Sequence, residues 1–315
     1  MTMTISGIHH VTAISGRPQE NIAFYSQLLG LRIVKVTVNF DDPTSYHIYY
    51  GDASARPGTL ITFFFWPGAR PARRGAGEAN RVTFAIPPGS IGYWQSRLTA
   101  AGTASAMVPA ENGNAAALQF TDTEGLPLAL TESSDLEPEE PNRRGKVPQE
   151  HAIRRIWGID LHVKDFSASR RHLTDALGAV PVAAREGGAL LRLGTAGWAG
   201  TIGLTASASG EQMGRLGAGA IHHVAWRTAT AEEQDLWREQ LEVGGLHVTP
   251  PMERVYFRSI YYREPGGVLF EIATDGPGFT VDESLERLGT GLMLPPWLED
   301  QREAIAASLP PLQFA

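Results

Sequence analysis

The sequence predicts an α+β fold of four βαβββ units paired into two partial barrels, units one and four forming the barrel that carries a candidate metal site. Three observations carry that prediction. Amphipathic helical stretches stop at Gly30, Gly102, Gly178 and Gly244, which marks four comparable units. A strand-like run precedes each helix and further strand-like runs follow it. A unit this small cannot bury both faces of its own sheet, so it must pair with another.

The first unit opens at Gly7-Ile8-His9-His10-Val11. Its helix runs over 18–29, with Ile22, Tyr25, Leu28 and Leu29 on one face, and strands follow at 32–39, 46–50 and 60–66. The second has strands at 81–86, 117–121 and 126–131, with a helix over 90–101. The third has a strand at 157–163, a helix over 167–177 and strands at 189–193 and 201–206. The fourth has a strand at 220–226, a helix over 231–243 and strands at 254–257, 259–263 and 268–273. The Glu-, Pro- and Arg-rich stretch 132–149 lacks an apolar period and reads as a linker. The expected organisation is an N-terminal pair of units in 1–135, a linker over 136–152, a C-terminal pair in 153–278 and a tail over 279–315 with one helix near 297–309.

Composition excludes several function classes. At 315 residues, 43% hydrophobic and 19% charged, the chain has enough core to fold unaided. A net charge of −7 gives nothing that attracts nucleic acid or anionic lipid. The basic clusters at Arg70, Arg73, Arg74 and at Arg143, Arg144, Lys146 read as solvated loops. With no cysteine there is no disulfide, thiolate zinc site or cysteine nucleophile. No signal-like or membrane-spanning run is visible, so a cytoplasmic protein is expected.

The chemistry concentrates in His-His pairs. His9-His10 and His222-His223 occupy equivalent first strands, and Glu271 lies in an apolar strand after Gly266-Gly267. A carboxylate between Phe270 and Ile272 is costly to bury unless something pairs with it. Two imidazoles and one carboxylate are the set that leaves open positions on a divalent iron. The competing reading, core or edge-strand histidines without a metal, suits a lone histidine better than a repeated pair followed by an acid. Alignment on the turn glycines sets Glu271 against Thr62, Ala129 and Leu204, so only the fourth unit keeps an acid. The second unit offers no histidine. In the third, Leu161 rather than His162 registers with His10. One site therefore follows, from units one and four.

These features resemble the vicinal oxygen chelate (glyoxalase, bleomycin-resistance and extradiol dioxygenase) superfamily. More narrowly, Gly7-Ile8-His9-His10-Val11-Thr12, Tyr46-His47-Ile48-Tyr49-Tyr50, Pro57-Gly58-Thr59, Ile221-His222-His223-Val224-Ala225 and Pro265-Gly266-Gly267-Val268-Leu269-Phe270-Glu271 are similar to hydroquinone ring-cleaving dioxygenases. The similarity extends into the tail at Gly278-Phe279-Thr280-Val281-Asp282-Glu283. It implies His10, His223 and Glu271 as ligands of Fe(II), with Mn(II) accepting the same set. It also implies Tyr261 as hydrogen-bond donor or acid and Arg254 as partner for a phenolate. An exposed Arg- and Tyr-rich sheet face is the alternative for that strand.

Adjacent strand residues point to opposite faces, so His9 and His10 cannot both ligate without a bulge. His222 is carried as a catalytic candidate, and His9 and Thr12 as substrate-binding candidates. Packing residues with no role remain the alternative for His9 and His222. His47, His151, His172 and His247 are expected to be structural or on the surface. The expected partners are a small dihydroxylated aromatic and O2, with a homo-oligomer left open and no nucleic acid or membrane. Two other readings stay open: a glyoxalase-type isomerase or thiol transferase, and a metal-free aromatic-binding module of the bleomycin-resistance type.

Overall fold

The structure, a computed structural model, describes residues 3, 5–110, 115–136, 142, 145–185, 187–195 and 198–314. Arg143 and Arg144, expected in a solvated loop, lie outside the described residues. The first unit comprises β1 (Ile8–Ser15), α1 (Pro18–Ile22) continued by a π-helical turn (Ala23–Leu28), β2 (Arg32–Asn39), β3 (Asp42–Gly51) and β4 (Leu60–Phe65). The second contains β5 (Glu78–Ile86), α2 (Ile91–Ala100), β6 (Ser105–Val108), β7 (Ala117–Thr121) and β8 (Pro127–Glu132). The third runs through β9 (Arg155–Val163), α3 (Phe166–Arg171) with a π-helical turn (His172–Ala176), β10 (Val180–Arg185), β11 (Gly188–Leu193) and β12 (Gly200–Ala206). The fourth is β13 (Ile221–Thr228), α4 (Ala231–Val243), β14 (Met252–Glu253), β15 (Phe257–Arg263) and β16 (Leu269–Pro277). α5 (Arg302–Ser308) lies in the tail.

Two eight-stranded sheets result, ordered β14-β15-β16-β13-β1-β4-β3-β2 and β10-β11-β12-β9-β5-β8-β7-β6. Units one and four share the first sheet and units two and three the second, as the distribution of histidines and acid predicts. The connectors between units bridge one another at Pro71 with Ala218, Arg73 with Arg215 and Ala76 with Met213. No helix among the described residues is long and apolar enough to cross a membrane.

The helices form for local reasons and end where a left-handed residue is available. Pro18 opens α1, Asp165 accepts from the Ala168 N–H at the start of α3, and Thr230 accepts from the Glu233 N–H at the start of α4. Gly30, Gly102 and Gly178 have φ of +75°, +71° and +81°, whereas after α4 it is Gly245, at +82°, that makes the turn. Buried Gln234 fastens α4 to its sheet by donating to the carbonyls of Arg258 and Ile272, each at 2.7 Å.

Two expectations need correction. β6 and β10 are edge strands without an alternating apolar face; Pro181 and the exposed Val180 and Val182 hide the second of them in sequence. Residues 254–256 do not form a strand. Val255 takes φ +66° and the Tyr256 N–H donates to the Arg254 carbonyl at 2.7 Å, so the chain turns sharply before β15. The tail is fastened down: Leu294, Leu298, Ile305 and Leu309 bury against Val38, and Lys35, fully buried, is held by Asp282 and Glu283 at 2.5 Å each.

Candidate metal centre

The site lies where the central strands β1 and β13 of the first sheet run antiparallel. His10 pairs with Ala225 and Thr12 with His223. Register shifts between Ile8 and His10, and between His223 and Ile221, leave His9 and His222 as the extra residues of two β-bulges. The bulge is what simple alternation does not supply. It brings the His9 Nδ1 to 2.9 Å from the His10 Nδ1, and the His222 Nδ1 to 2.8 Å from the His223 Nδ1. In each pair the first imidazole occupies the Nδ1 of the second and leaves its Nε2 free to face inward.

β16, parallel to β13, sets Glu271 beside Ala225. Its Oε2 lies 2.9 Å from the His223 Nε2 and 3.5 Å from the His10 Nε2, and the two Nε2 atoms are 3.2 Å apart. All three residues are buried, and one side-chain donor atom of each lies within 4.8 Å of the other two, close enough to share a metal ion. Ser259 on β15 donates to Oε1 at 2.5 Å, whereas the buried Oε2 has no partner in hydrogen-bond geometry. An unpartnered buried carboxylate oxygen costs about 1–3 kcal/mol or more, which a cation among the three atoms would remove. Mutual separations near 3 Å also match a face of an octahedron with bonds of about 2.1 Å. The residues therefore fit a divalent metal.

The electrostatics agree. Burial alone would raise Glu271, but the imidazoles of His10 and His223 outweigh it and hold the carboxyl well below the usual range. Burial lowers His223 and His9, and pushes His222 down to about 3, so these rings are neutral and able to act as ligands or acceptors.

Two spaces flank the three ligand atoms. One, of about 30 Å³, is bordered by His10, His47, Tyr49, Phe64, Arg254 and Tyr261 among others, and has room for about one water. The other, of about 200 Å³, lies against His222 and His223 and is walled by Met213, Leu216, Arg263 and Leu269. Tyr261 pairs with Glu271 across β15 and β16, and its ring centroid is 5.7 Å from that of His223. Arg254, placed by the turn at Val255, lies over the Tyr261 ring and points its Nε at the hydroxyl from 3.4 Å. Its Nη atoms reach Asp41 at 3.1 and 3.3 Å, across the mouth between units four and one. Burial raises Tyr261, so its hydroxyl keeps its proton.

The eight residues singled out from sequence do not all arrive at one place. His10, His223, Glu271, Tyr261 and Arg254 meet. His9 and His222 touch the triad through Nδ1, and His9 also packs edge-on against Phe257. Thr12 is buried and bonded to Thr62 at 2.8 Å, which in turn lies 2.9 Å from the His47 Nε2. His47 is not a surface histidine. It borders the smaller space, with its Nδ1 3.0 Å from the Tyr49 hydroxyl, and burial lowers its pKa. The alternation of His47 and Tyr49 with Ile48 and Tyr50 carried that signal. Asp41 had none, since it matters through Arg254, a partner distant in sequence.

The Glyoxalase/Bleomycin resistance protein/Dioxygenase superfamily model matches residues 7–130 and 155–272. The chain belongs to that superfamily. It is 41% identical over 312 residues, 98% of this chain and 100% of the relative, to the Bacillus subtilis (strain 168) protein named "Putative ring-cleaving dioxygenase MhqE". It is 30% identical to the Chlorohydroquinone/hydroquinone 1,2-dioxygenase of Sphingobium indicum, over 97% of this chain and 96% of the relative. A solved Bacillus subtilis structure, of a "putative dioxygenase", superposes with a TM-score of 0.94 at 37% identity, covering 100% of this chain and 99% of the other.

The superfamily's second sheet holds no equivalent triad in this chain. The pairing of Asp160 with Gly203 matches that of Ala225 with Glu271, so Gly203, not Leu204, stands at the acid's place in the third unit. Gly158, not Leu161, stands at the histidine's place. The sequence alignment set Gly158-Ile159 against Gly7-Ile8, three residues out of the structural register, and placed the acid's position one residue late.

Proposed function

We propose that the chain is an iron(II)-dependent, extradiol-type ring-cleaving dioxygenase that opens a hydroquinone or related dihydroxylated aromatic with incorporation of O2. The observation that carries this reading is the buried triad, His10 and His223 through Nε2 and Glu271 through an otherwise unpartnered Oε2. Two neutral imidazoles and one carboxylate on one face are the donor set of mononuclear iron(II) oxygenases, and Mn(II) accepts it too. When bound, such a metal supplies the one-electron chemistry that lets O2 react with an electron-rich ring, which zinc cannot. The name of the Sphingobium relative supports the substrate class.

The chain's own groups divide the remaining work. His9 and His222 hold the ligand imidazoles in the tautomer that presents Nε2, and Ser259 turns the carboxylate so that Oε2 faces inward. Tyr261 keeps a proton at its hydroxyl and gives a hydrogen bond or that proton to a substrate oxygen. Arg254 offers positive charge beside that hydroxyl for a phenolate. Phe64 and Phe257 exclude water around the ligand atoms. A glyoxalase-type site would want a further acid, yet Thr62 stands at Glu271's place in the first unit and is engaged with Thr12 and His47. A metal-free binding module would have no use for the triad.

The test is anaerobic reconstitution with iron(II), then oxygen uptake against a panel of hydroquinones and catechols, with manganese(II) in parallel. Iron-dependent uptake of one O2 per ring consumed is expected. Stoichiometric iron binding with no uptake on any ring would end the reading.

A further inference from the structure

The second sheet curves around its own concavity, and the strand register matches it to the metal cup. Arg81 pairs with Asp160 and Thr83 with Gly158 across β5 and β9, as His10 pairs with Ala225 and Thr12 with His223. Arg81 therefore stands at the place of His10, Gly158 at that of His223 and Gly203 at that of Glu271. Both bulges are kept, which sets Asn80 and Trp157 where His9 and His222 stand in the first cup. Gly158 is obligatory: a Cβ there would lie 2.5 Å from the Thr201 carbonyl oxygen.

Two glycines in place of an imidazole and a carboxylate leave room. A cavity of about 230 Å³ opens in this cup, on the order of seven or eight water volumes. That is the scale of one aromatic ring with substituents, below the usual range for larger ligands. Trp157 lines it, held from behind by the Arg155 guanidinium 5.0 Å from the ring centroid. Arg81 and Asp160 form an ion pair at its centre, both partly exposed. Gln119 borders it, and among the described residues its amide has no hydrogen-bond partner. The exposed Val108 and Val182 form an apolar rim.

We infer that this second cup is a metal-independent binding site for an uncharged, single-ring phenol. An aromatic ring packs on the Trp157 indole. A hydroxyl donates to the Asp160 carboxylate, beside the ion pair that carboxylate makes with Arg81, and accepts from the Gln119 amide. The ion pair is internally neutral, which favours an uncharged ligand over a carboxylate. The choice of a phenol rests on the ring-cleavage reading of the first cup; the site itself rests on the cavity and its polar groups.

The experiment is equilibrium dialysis of metal-loaded protein against hydroquinone under nitrogen, counting molecules bound per chain. Two are expected for the wild type and one for Gln119→Trp, which fills the second cup, with oxygen uptake unchanged in that variant. Trp157→Leu, which removes the aromatic wall without filling the space, should weaken the second binding event at least tenfold, and it decides the matter should Gln119→Trp not fold. Glu271→Ala should retain binding in the second cup. Wild-type binding that neither Gln119→Trp nor Trp157→Leu changes in number or affinity overturns the inference. Failure of the ring-cleavage reading would appear separately, as absent iron-dependent uptake while the binding event that responds to the second-cup variants persists.

Discussion

Around β1 and β13 the chain builds a cup whose centre is two imidazoles and a carboxylate; around β5 and β9 it builds one whose centre is an arginine, an aspartate and two glycines. The backbones agree closely. Each cup is closed by the same strand order, and each has bulges at corresponding places. The bulge therefore belongs to the fold, because it persists where no metal ligand needs it. What distinguishes the first cup is the side chain at each of a few positions, and above all the acid. At Glu271 it leaves a buried carboxylate oxygen without a hydrogen-bond partner, a feature the second cup lacks because Gly203 stands there.

The largest effect should follow from erasing that difference. Glu271→Ala makes the first cup as acid-free as the second, and should lose bound metal and reduce oxygen uptake to background while leaving the circular dichroism spectrum unchanged. Metal analysis beside activity checks it. Full metal occupancy in that variant would mean that the triad is not the site.

Next comes a change that leaves the ligands alone. Tyr261→Phe should keep metal content near wild type and lower turnover by about 10²–10⁴, the scale for losing a positioned proton donor. KM should move little. A wild-type rate would reduce Tyr261 to packing against His223, and loss of metal would make it a support of the triad instead.

Much of this comparison was legible in the sequence, and the illegible part has a physical explanation. The glycine stops, the histidine pairs and the single acid were enough to pair unit one with unit four. Alternation placed Ser259, Tyr261 and Arg263 on the face opposite to Tyr262. It could not deliver the bulges, since these depend on how two strands meet, and so it put His9 and His222 away from His10 and His223, which they touch. The alignment of the third unit missed Gly158 and Gly203 because matching glycines at strand entries and turns does not fix strand register. Arg254 was read as part of a strand because nothing in its neighbours announces the left-handed Val255. His47 was set aside because a lone histidine carries little signal until its strand is laid beside β4.

The bulged histidines give the third test. His222→Phe keeps a flat ring at the bulge but removes the Nδ1 that engages His223. Affinity for the metal should fall by about 10- to 100-fold, the usual effect of losing a group that orients a ligand. Chelator competition measures it. The matching change at Trp157, in the cup without ligands, should leave metal affinity untouched.

The smallest effect belongs to the mouth of the first cup. Arg254 is held over Tyr261 but spends both Nη atoms on Asp41, which is 64% exposed at the turn between β2 and β3. An ion pair with one partner in water contributes about 0–1 kcal/mol, which is up to roughly a fivefold change in an equilibrium. A phenolate arriving at Arg254 competes with that carboxylate, so Asp41→Asn should lower KM by up to about fivefold with kcat nearly unchanged. Added salt, which screens an exposed pair, should shrink the difference between wild type and variant. If Asp41 instead holds Arg254 in the pose that receives substrate, the variant will show a higher KM and a lower kcat/KM. Steady-state oxygen uptake at two ionic strengths distinguishes the two, and the second cup, whose arginine is paired within the sheet to Asp160, has no such mouth to release.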